Sequence, residues 1–74
     1  MGRLGGYSGK EAIRRFQKIG YVVVRQKGSH VRMVCPSRPM HPITIPLARE
    51  LKIGLLCQLI SDAGLSVDDF LSLV

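Results

Sequence analysis

The chain has 74 residues, of which 46% are hydrophobic, and 11 basic against 5 acidic side chains give it a net charge of +6. This length allows one hydrophobic core, and the apolar content excludes an intrinsically disordered chain. No apolar run approaches the roughly 18 residues of a membrane span, and the first residues lack the apolar core of a signal peptide. We therefore expect one soluble, cytoplasmic domain over residues 1–74, with a flexible segment at residues 1–7 and no membrane partner.

The charge is unevenly distributed along the sequence. Residues 1–52 contain all 11 basic side chains, whereas residues 53–74 contain acidic side chains and no basic ones. A basic block of this kind is typical of proteins that bind a polyanion, of which nucleic acid is the commonest. The alternative is that the charge only maintains solubility. Cys35 and Cys57 lack neighbouring ligands at metal-site spacing, so both are predicted to be reduced packing residues, and no metal or other cofactor is predicted.

A first helix is predicted from Ser8, because Ser8 and Glu11 fit a capping box, and Gly20 is its predicted end. Arg14 and Lys18 lie four residues apart on the polar face of this helix. They repel each other unless an anion lies over them. The predicted apolar face consists of Ala12, Ile13, Phe16 and Ile19.

Three strands are predicted next, followed by two helices. The β-branched run at residues 21–26 is the first strand, His30 to Cys35 is the second, and Ile43 to Ile45 is a short third strand after a proline-rich loop at residues 36–42. One helix is predicted over residues 54–63, ended by Gly64, and a last short helix is predicted to be capped by Ser66-Val67-Asp68-Asp69. The second of them has an apolar face of Phe70, Leu71 and Val74. The order αβββα(α) predicts an α+β domain, with a three-stranded antiparallel sheet and the helices packed on one of its faces.

Alternation along the strands predicts which side chains face the helices. The helix side receives Val31, Met33 and Cys35, so His30 and Arg32 point to the open face of the sheet. With a two-residue turn at residues 27–28, Arg25 pairs with His30. The open face would then carry Arg25, His30 and Arg32 together, with Val23 and Val34 beside them.

His30 has the side chain best suited to acid–base chemistry on this face, because imidazole titrates near neutral pH. RNA supplies its own nucleophile, the 2′-hydroxyl, and a positioned general base accelerates such a reaction by roughly 10²–10⁴-fold. Nearby cations such as Lys27 can hold the phosphate and stabilise developing charge. His41 is expected about 16 Å away along the sheet, on a loop surface, so the predicted site contains one histidine. On the residues alone, an exposed His30 without a role is an equally good interpretation.

Five blocks of the sequence resemble the HicA toxin family of toxin–antitoxin systems, and the resemblance extends over residues 8–73. They are Ser8-Gly9-Lys10-Glu11, Arg25-Gln26-Lys27-Gly28-Ser29-His30, Ile43-Thr44-Ile45-Pro46, Glu50-Leu51-Lys52-Ile53-Gly54 and Ala63-Gly64-Leu65-Ser66. The resemblance implies a fold like that of double-stranded-RNA-binding domains and metal-independent cleavage of mRNA with His30 as the catalytic residue. It also implies a HicB-like antitoxin that binds the toxin and blocks this histidine. The residues expected to contact RNA are Arg14, Lys18, Arg25, Lys27, Ser29 and Arg32, and Ser29 can alternatively serve only the turn.

The chain departs from the family pattern at three places. Ala48 stands where many relatives have a second histidine, and Leu55 stands where they typically have threonine. On the outside of the second helix, relatives usually carry Lys or Arg, whereas this chain has Cys57, Ser61 and Asp62. These departures leave open an alternative function, a non-catalytic RNA-binding or antitoxin-partner module with a degenerate active site.

Overall fold

The computed structural model describes residues 4–73. The elements are helix α1 (Gly9–Gln17), strands β1 (Val22–Lys27), β2 (His30–Cys35) and β3 (Arg38–Pro46), and helices α2 (Ile53–Asp62) and α3 (Val67–Leu71). The strands form one antiparallel sheet in the order β1-β2-β3. The predicted α+β fold with the order αβββα is thus confirmed. Within the described part of the chain, no helix is long and apolar enough to cross a membrane.

Local hydrogen bonds fix the starts of the first and last helices. The Ser8 hydroxyl accepts from the Glu11 amide at 3.1 Å, and the Ser66 hydroxyl accepts from the Asp69 amide at 3.0 Å. In both cases the carboxylate reaches back to the backbone of the serine, which completes a capping box. Left-handed glycines follow the first two helices as predicted, at Gly20 and Gly64.

The hydrophobic core lies between the helices and one face of the sheet. Along β2 the burial alternates as predicted, since His30 and Arg32 are exposed while Val31, Met33 and Cys35 are buried. The largest fully buried side chains are Tyr21, Phe16, Phe70, Met33, Ile43, Ile45, Leu51, Leu56, Ile60 and Cys35. Burial of this set leaves the opposite face of the sheet open to solvent.

Leu4 and Tyr7 pack against this core. The Leu4 side chain is buried, and the Leu51 amide donates to the Tyr7 carbonyl at 2.7 Å. The Arg15 guanidinium lies 4.9 Å from the centre of the Tyr7 ring and donates to the Leu73 carbonyl at 2.7 Å, which joins α1 to the end of α3. Of the segment expected to be flexible, residues 1–3 lie outside the described residues, as does Val74.

The loop predicted over residues 36–42 is wrong, because β3 already begins at Arg38 and is nine residues long. Only Pro36 and Ser37 form the turn. Pro39 and Pro42 are tolerated because β3 is an edge strand and neither residue is a cross-strand partner of β2. The pairing register also shifts between Met33 and Cys35, which accommodates the additional residues of β3.

The predicted pairing of Arg25 with His30 is also wrong. The turn consists of Gly28 and Ser29, so Lys27 pairs with His30 and Arg25 pairs with Arg32. Gly28 has a φ of +60°, as the first central residue of a type II′ turn requires. Because the pairing moves by two positions along β1, Arg25 stays on the open face and Lys27 joins it.

A bulge at Val24 overturns the predicted position of Val23. Val22 pairs with Val34, whereas Val23 pairs with Met33, and the register shifts before Arg25. Cross-strand partners share a face of the sheet, so Val23 lies on the side of the buried Met33 and not on the open face. The extra residue of the bulge breaks the simple alternation that the sequence pattern assumed.

Candidate functional site

The open face of the sheet contains a shallow hollow of about 180 Å³, which we call the His30 hollow. Its lining comes from all three strands and consists of Arg25, Lys27, His30, Arg32 and Thr44. The structure therefore brings together four of the residues selected from the sequence. An imidazole, two guanidinium groups and an ammonium group converge on one small depression.

The backbone around His30 is held on both sides. His30 is the first residue of β2 and lies opposite Lys27 on β1 and opposite Pro46 on β3. The Leu47 amide donates to the Ser29 carbonyl at 2.6 Å, which fastens the β1–β2 turn to the end of β3. These contacts fix the position of the His30 backbone, while its side chain stays exposed to solvent.

Arg32 is oriented by a neighbour in the hollow. It pairs with Thr44 across β2 and β3, and its guanidinium donates to the Thr44 hydroxyl at 3.2 Å. A guanidinium has five N–H donors, so this bond leaves others available to a ligand. Thr44 was missed in the sequence, although its place between the buried Ile43 and Ile45 would have assigned it to the open face.

The surroundings of the His30 hollow carry charge of one sign. No acidic residue occurs between Glu11 and Glu50, a range that includes the whole sheet. A concave surface lined by cations raises the local concentration of anionic ligands. The hollow is therefore suited to a phosphate group.

Two of the expected RNA contacts lie elsewhere. Arg14 and Lys18 line a second hollow of about 250 Å³, the α1 hollow, together with Arg15 and Leu73. Helix α1 packs on the sheet through Phe16, on the face opposite His30. The structure thus separates Arg14 and Lys18 from the other predicted contacts, while Ser29 lies in the turn at the end of the His30 hollow.

His41 lies on the helix side of the sheet rather than in a loop. Its Nδ1 atom is 2.8 Å from the Asp62 carbonyl at the end of α2, and the Tyr21 hydroxyl donates to the His41 carbonyl at 2.6 Å. Burial raises the pKa of the Tyr21 hydroxyl above its usual range, and the nearby Cys35 adds to this. The two histidines of the chain therefore lie on opposite faces of the sheet, and His41 has a structural environment.

The cysteines do not contribute to the His30 hollow. Cys35 is buried and Cys57 is exposed, and both are free thiols. The prediction that both are packing residues is therefore wrong for Cys57, which lies on the outer face of α2. Among residues 4–73, no three His, Cys, Asp or Glu side chains lie close enough to hold a metal ion.

Comparison with known proteins identifies one family. None of the curated proteins matches the chain. The sequence profile of the HicA toxin of bacterial toxin-antitoxin systems matches residues 9–65. That range covers most of the chain, from the start of α1 to just past α2, and includes every residue of the His30 hollow. A toxin of this kind acts in a pair with an antitoxin, and the chain belongs to the HicA toxin family.

Proposed function

We propose that this toxin is an endoribonuclease that cleaves mRNA, with His30 as its single catalytic histidine. The observation that carries the proposal is the His30 hollow, in which an exposed imidazole lies among three cationic side chains. RNA is the polyanion that best fits this arrangement, because its 2′-hydroxyl lies next to the scissile phosphate and needs only a base to become a nucleophile.

In the proposed reaction, the neutral imidazole of His30 removes the proton from the 2′-hydroxyl. The 2′-oxygen forms a bond to the phosphorus while the bond from phosphorus to the 5′-oxygen breaks, and the 5′-oxygen takes up a proton from water as it leaves. The products are a 2′,3′-cyclic phosphate and a 5′-hydroxyl. No metal is required for this step, since the nucleophile belongs to the RNA and fixed cations supply the positive charge.

The cations of the hollow have distinct proposed roles. Lys27, directly opposite His30, contacts the scissile phosphate and stabilises the charge that develops on it. Arg32, held by Thr44, presents a planar guanidinium suited to two phosphate oxygens. Arg25 pairs with Arg32 and extends the basic surface along the RNA backbone. Ser29 sets the turn and lies within reach of the same backbone.

Arg14 and Lys18 are proposed as a second contact for the RNA backbone. They are exposed on α1 and line their own hollow. A single strand that leaves the His30 hollow would have to pass around the edge of the domain to reach them. Their contribution is therefore to affinity and not to the chemical step.

A chemically defined substrate tests the proposal. Pure protein is incubated with a single-stranded RNA in EDTA, and the cleavage site is mapped. Cleavage of the same oligonucleotide with a 2′-deoxy sugar at that site is then compared with cleavage of the unmodified RNA. We expect cleavage of the RNA in EDTA, a 2′,3′-cyclic phosphate at the new end, and no cleavage at the deoxy position. Cleavage of the deoxy substrate would refute the mechanism.

The second candidate function is a non-catalytic module that binds RNA or the antitoxin. The outer face of α2 favours this second function. Ile53 is 49% exposed and Leu55 is 38% exposed there, whereas a surface that grips RNA for cleavage would be expected to carry basic side chains. Such a module would bind RNA in EDTA without cleaving it, and replacement of His30 would not change this result. Intact RNA after prolonged incubation with folded protein would therefore favour this function.

A further inference from the structure

Strand β1 is an exposed edge of the sheet. It pairs with β2 on one side, and its other side is unpaired within residues 4–73. All six of its residues are exposed, including three consecutive valines, Val22, Val23 and Val24, whose exposed fractions are 46%, 45% and 55%. We call this strand with its free side the β1 edge.

An unpaired strand presents free backbone amide and carbonyl groups, and proteins usually protect such edges with charge or bulges. The β1 edge has both, in the bulge at Val24 and in the cations Arg25 and Lys27. Yet its first half is continuously apolar and lies in water. This combination fits an extended partner segment that forms backbone hydrogen bonds, covers the valines and places acidic side chains against the two cations.

We propose that the β1 edge docks an extended, acidic segment of the antitoxin, which adds a fourth strand to the three-stranded sheet. The proposal rests on the role of the chain as the toxin of a pair, and not on RNA cleavage. A segment docked there runs past Lys27, which lies opposite His30. It therefore neutralises a cation that the proposed reaction needs and narrows access to the His30 hollow.

Charge favours an acidic partner over a second copy of the toxin. Each copy carries a net charge of +6 and has no acidic residue in the sheet. Two copies joined through their β1 edges would form one continuous sheet that contains Arg25 and Lys27 twice, without a carboxylate to offset them. Such like-charge contact is unfavourable, whereas the carboxylates of an acidic segment attract the same two cations.

Hydrogen exchange tests the docking directly. The full chain with His30→Ala, which removes the proposed catalytic group, is mixed with the purified antitoxin of the same toxin–antitoxin pair, and amide exchange is compared with that of the free toxin. We expect the amides of residues 22–27 to exchange at least about tenfold more slowly in the complex. Protection at the outer side of β3 or on α2, with no change at residues 22–27, would overturn the proposal.

Matched substitutions on the two edge strands provide a second test. Val24→Glu places an acid on the β1 edge, whereas Met40→Glu makes the same type of change on β3, where Met40 is 84% exposed. We expect Val24→Glu to weaken antitoxin binding by at least about tenfold and Met40→Glu to leave it within about twofold. Equal effects of the two changes, or a toxin dimer that Val24→Glu dissociates, would overturn the proposal. Circular dichroism checks that both variants are folded.

RNA cleavage by the same variants separates the two proposals. With His30 intact and no antitoxin present, Val24→Glu is expected to cleave RNA like the unchanged toxin, because Val24 does not line the His30 hollow. If the unchanged toxin cleaves no RNA, the proposed nuclease function fails while the docking result stands. If cleavage occurs but the antitoxin leaves residues 22–27 unprotected, only the docking proposal fails.

Discussion

Lys27 and His30 face each other across the β1–β2 hairpin, on either side of the turn formed by Gly28 and Ser29. Cross-strand partners in an antiparallel pair have Cβ atoms roughly 4.5–5.5 Å apart. Both side chains line the His30 hollow. This pairing relates the turn geometry to the proposed chemistry, because the turn decides which cation lies opposite His30.

Replacing Lys27 tests the role of that pairing. Lys27→Gln removes the charge and keeps much of the length of the side chain. We expect kcat/KM for RNA cleavage to fall about tenfold, which corresponds to about 1.4 kcal/mol of transition-state stabilisation. Lys10→Gln is the matched control, since Lys10 is an exposed cation on α1 that lines neither the His30 hollow nor the α1 hollow. Equal losses in the two variants would contradict a specific role for Lys27.

Salt dependence tests which basic surface holds RNA. If Arg25, Lys27 and Arg32 make the phosphate contacts, a plot of log affinity against log salt concentration should have a slope of about −2, at roughly −0.7 per contact. If Arg14 and Lys18 also contact the backbone, the slope should approach about −3.5, and Lys18→Ala should flatten it by about 0.7. Fluorescence anisotropy with the His30→Ala protein measures this without cleavage. A slope near zero would exclude both surfaces.

Substitution of Gly28 tests how much the β1–β2 turn contributes to the stability of the fold. The φ of Gly28, +60°, is left-handed, and a Cβ atom there would meet no other atom within 4 Å. Gly28→Ala should therefore cost about 1 kcal/mol of unfolding free energy through backbone strain alone. Gly54→Ala is the control, because Gly54 lies in α2 with open space around it, and alanine there should stabilise by about 0.5 kcal/mol. Urea unfolding measures both, and opposite signs are expected.

The cap of α3 predicts how stability depends on pH. The Ser66 amide donates to the Asp69 carboxylate at 3.1 Å. This bond is the main reason that the pKa of Asp69 lies below its usual value, and the Ser66 side chain lowers the pKa further. A carboxyl group with a lowered pKa in the folded state stabilises the fold above its unfolded pKa, and this stabilisation is lost as the pH falls through the folded value. We expect Asp69→Asn to reduce the unfolding free energy at pH 6 and to have less effect near pH 2, as measured by denaturant titrations. A difference that is constant with pH would contradict this.

Local patterns in the sequence predicted the parts of the fold that depend on neighbouring residues. The serines at positions 8 and 66 were assigned correctly as caps because a capping box involves four consecutive residues. His30 and Arg32 were assigned correctly to the open face because the alternation of β2 is complete. This alternation accounts for two of the five residues that line the His30 hollow, His30 and Arg32.

The features that were missed depend on distant partners. Both Lys27-Gly28 and Gly28-Ser29 are acceptable turns, and the contact of Ser29 with Leu47, 18 positions along the chain, accompanies the turn that is observed. The prolines at 39 and 42 indicated a loop, because the sequence does not reveal that β3 is an edge strand. Arg14 was placed correctly on the polar face of its helix, and the predicted packing of the helices on the face opposite His30 already separates it from the His30 hollow.

The comparison of two histidine variants tests the central claim most directly. RNA cleavage and RNA affinity are measured for His30→Ala and for His41→Ala, with folding checked by thermal unfolding, because His41 contacts the end of α2. We predict that His30→Ala lowers the cleavage rate by roughly 10²–10⁴-fold and leaves RNA affinity nearly unchanged, while folded His41→Ala cleaves at the rate of the unchanged toxin. A folded His30→Ala protein that still cleaves RNA at the full rate would contradict the assignment of His30 as the catalytic residue.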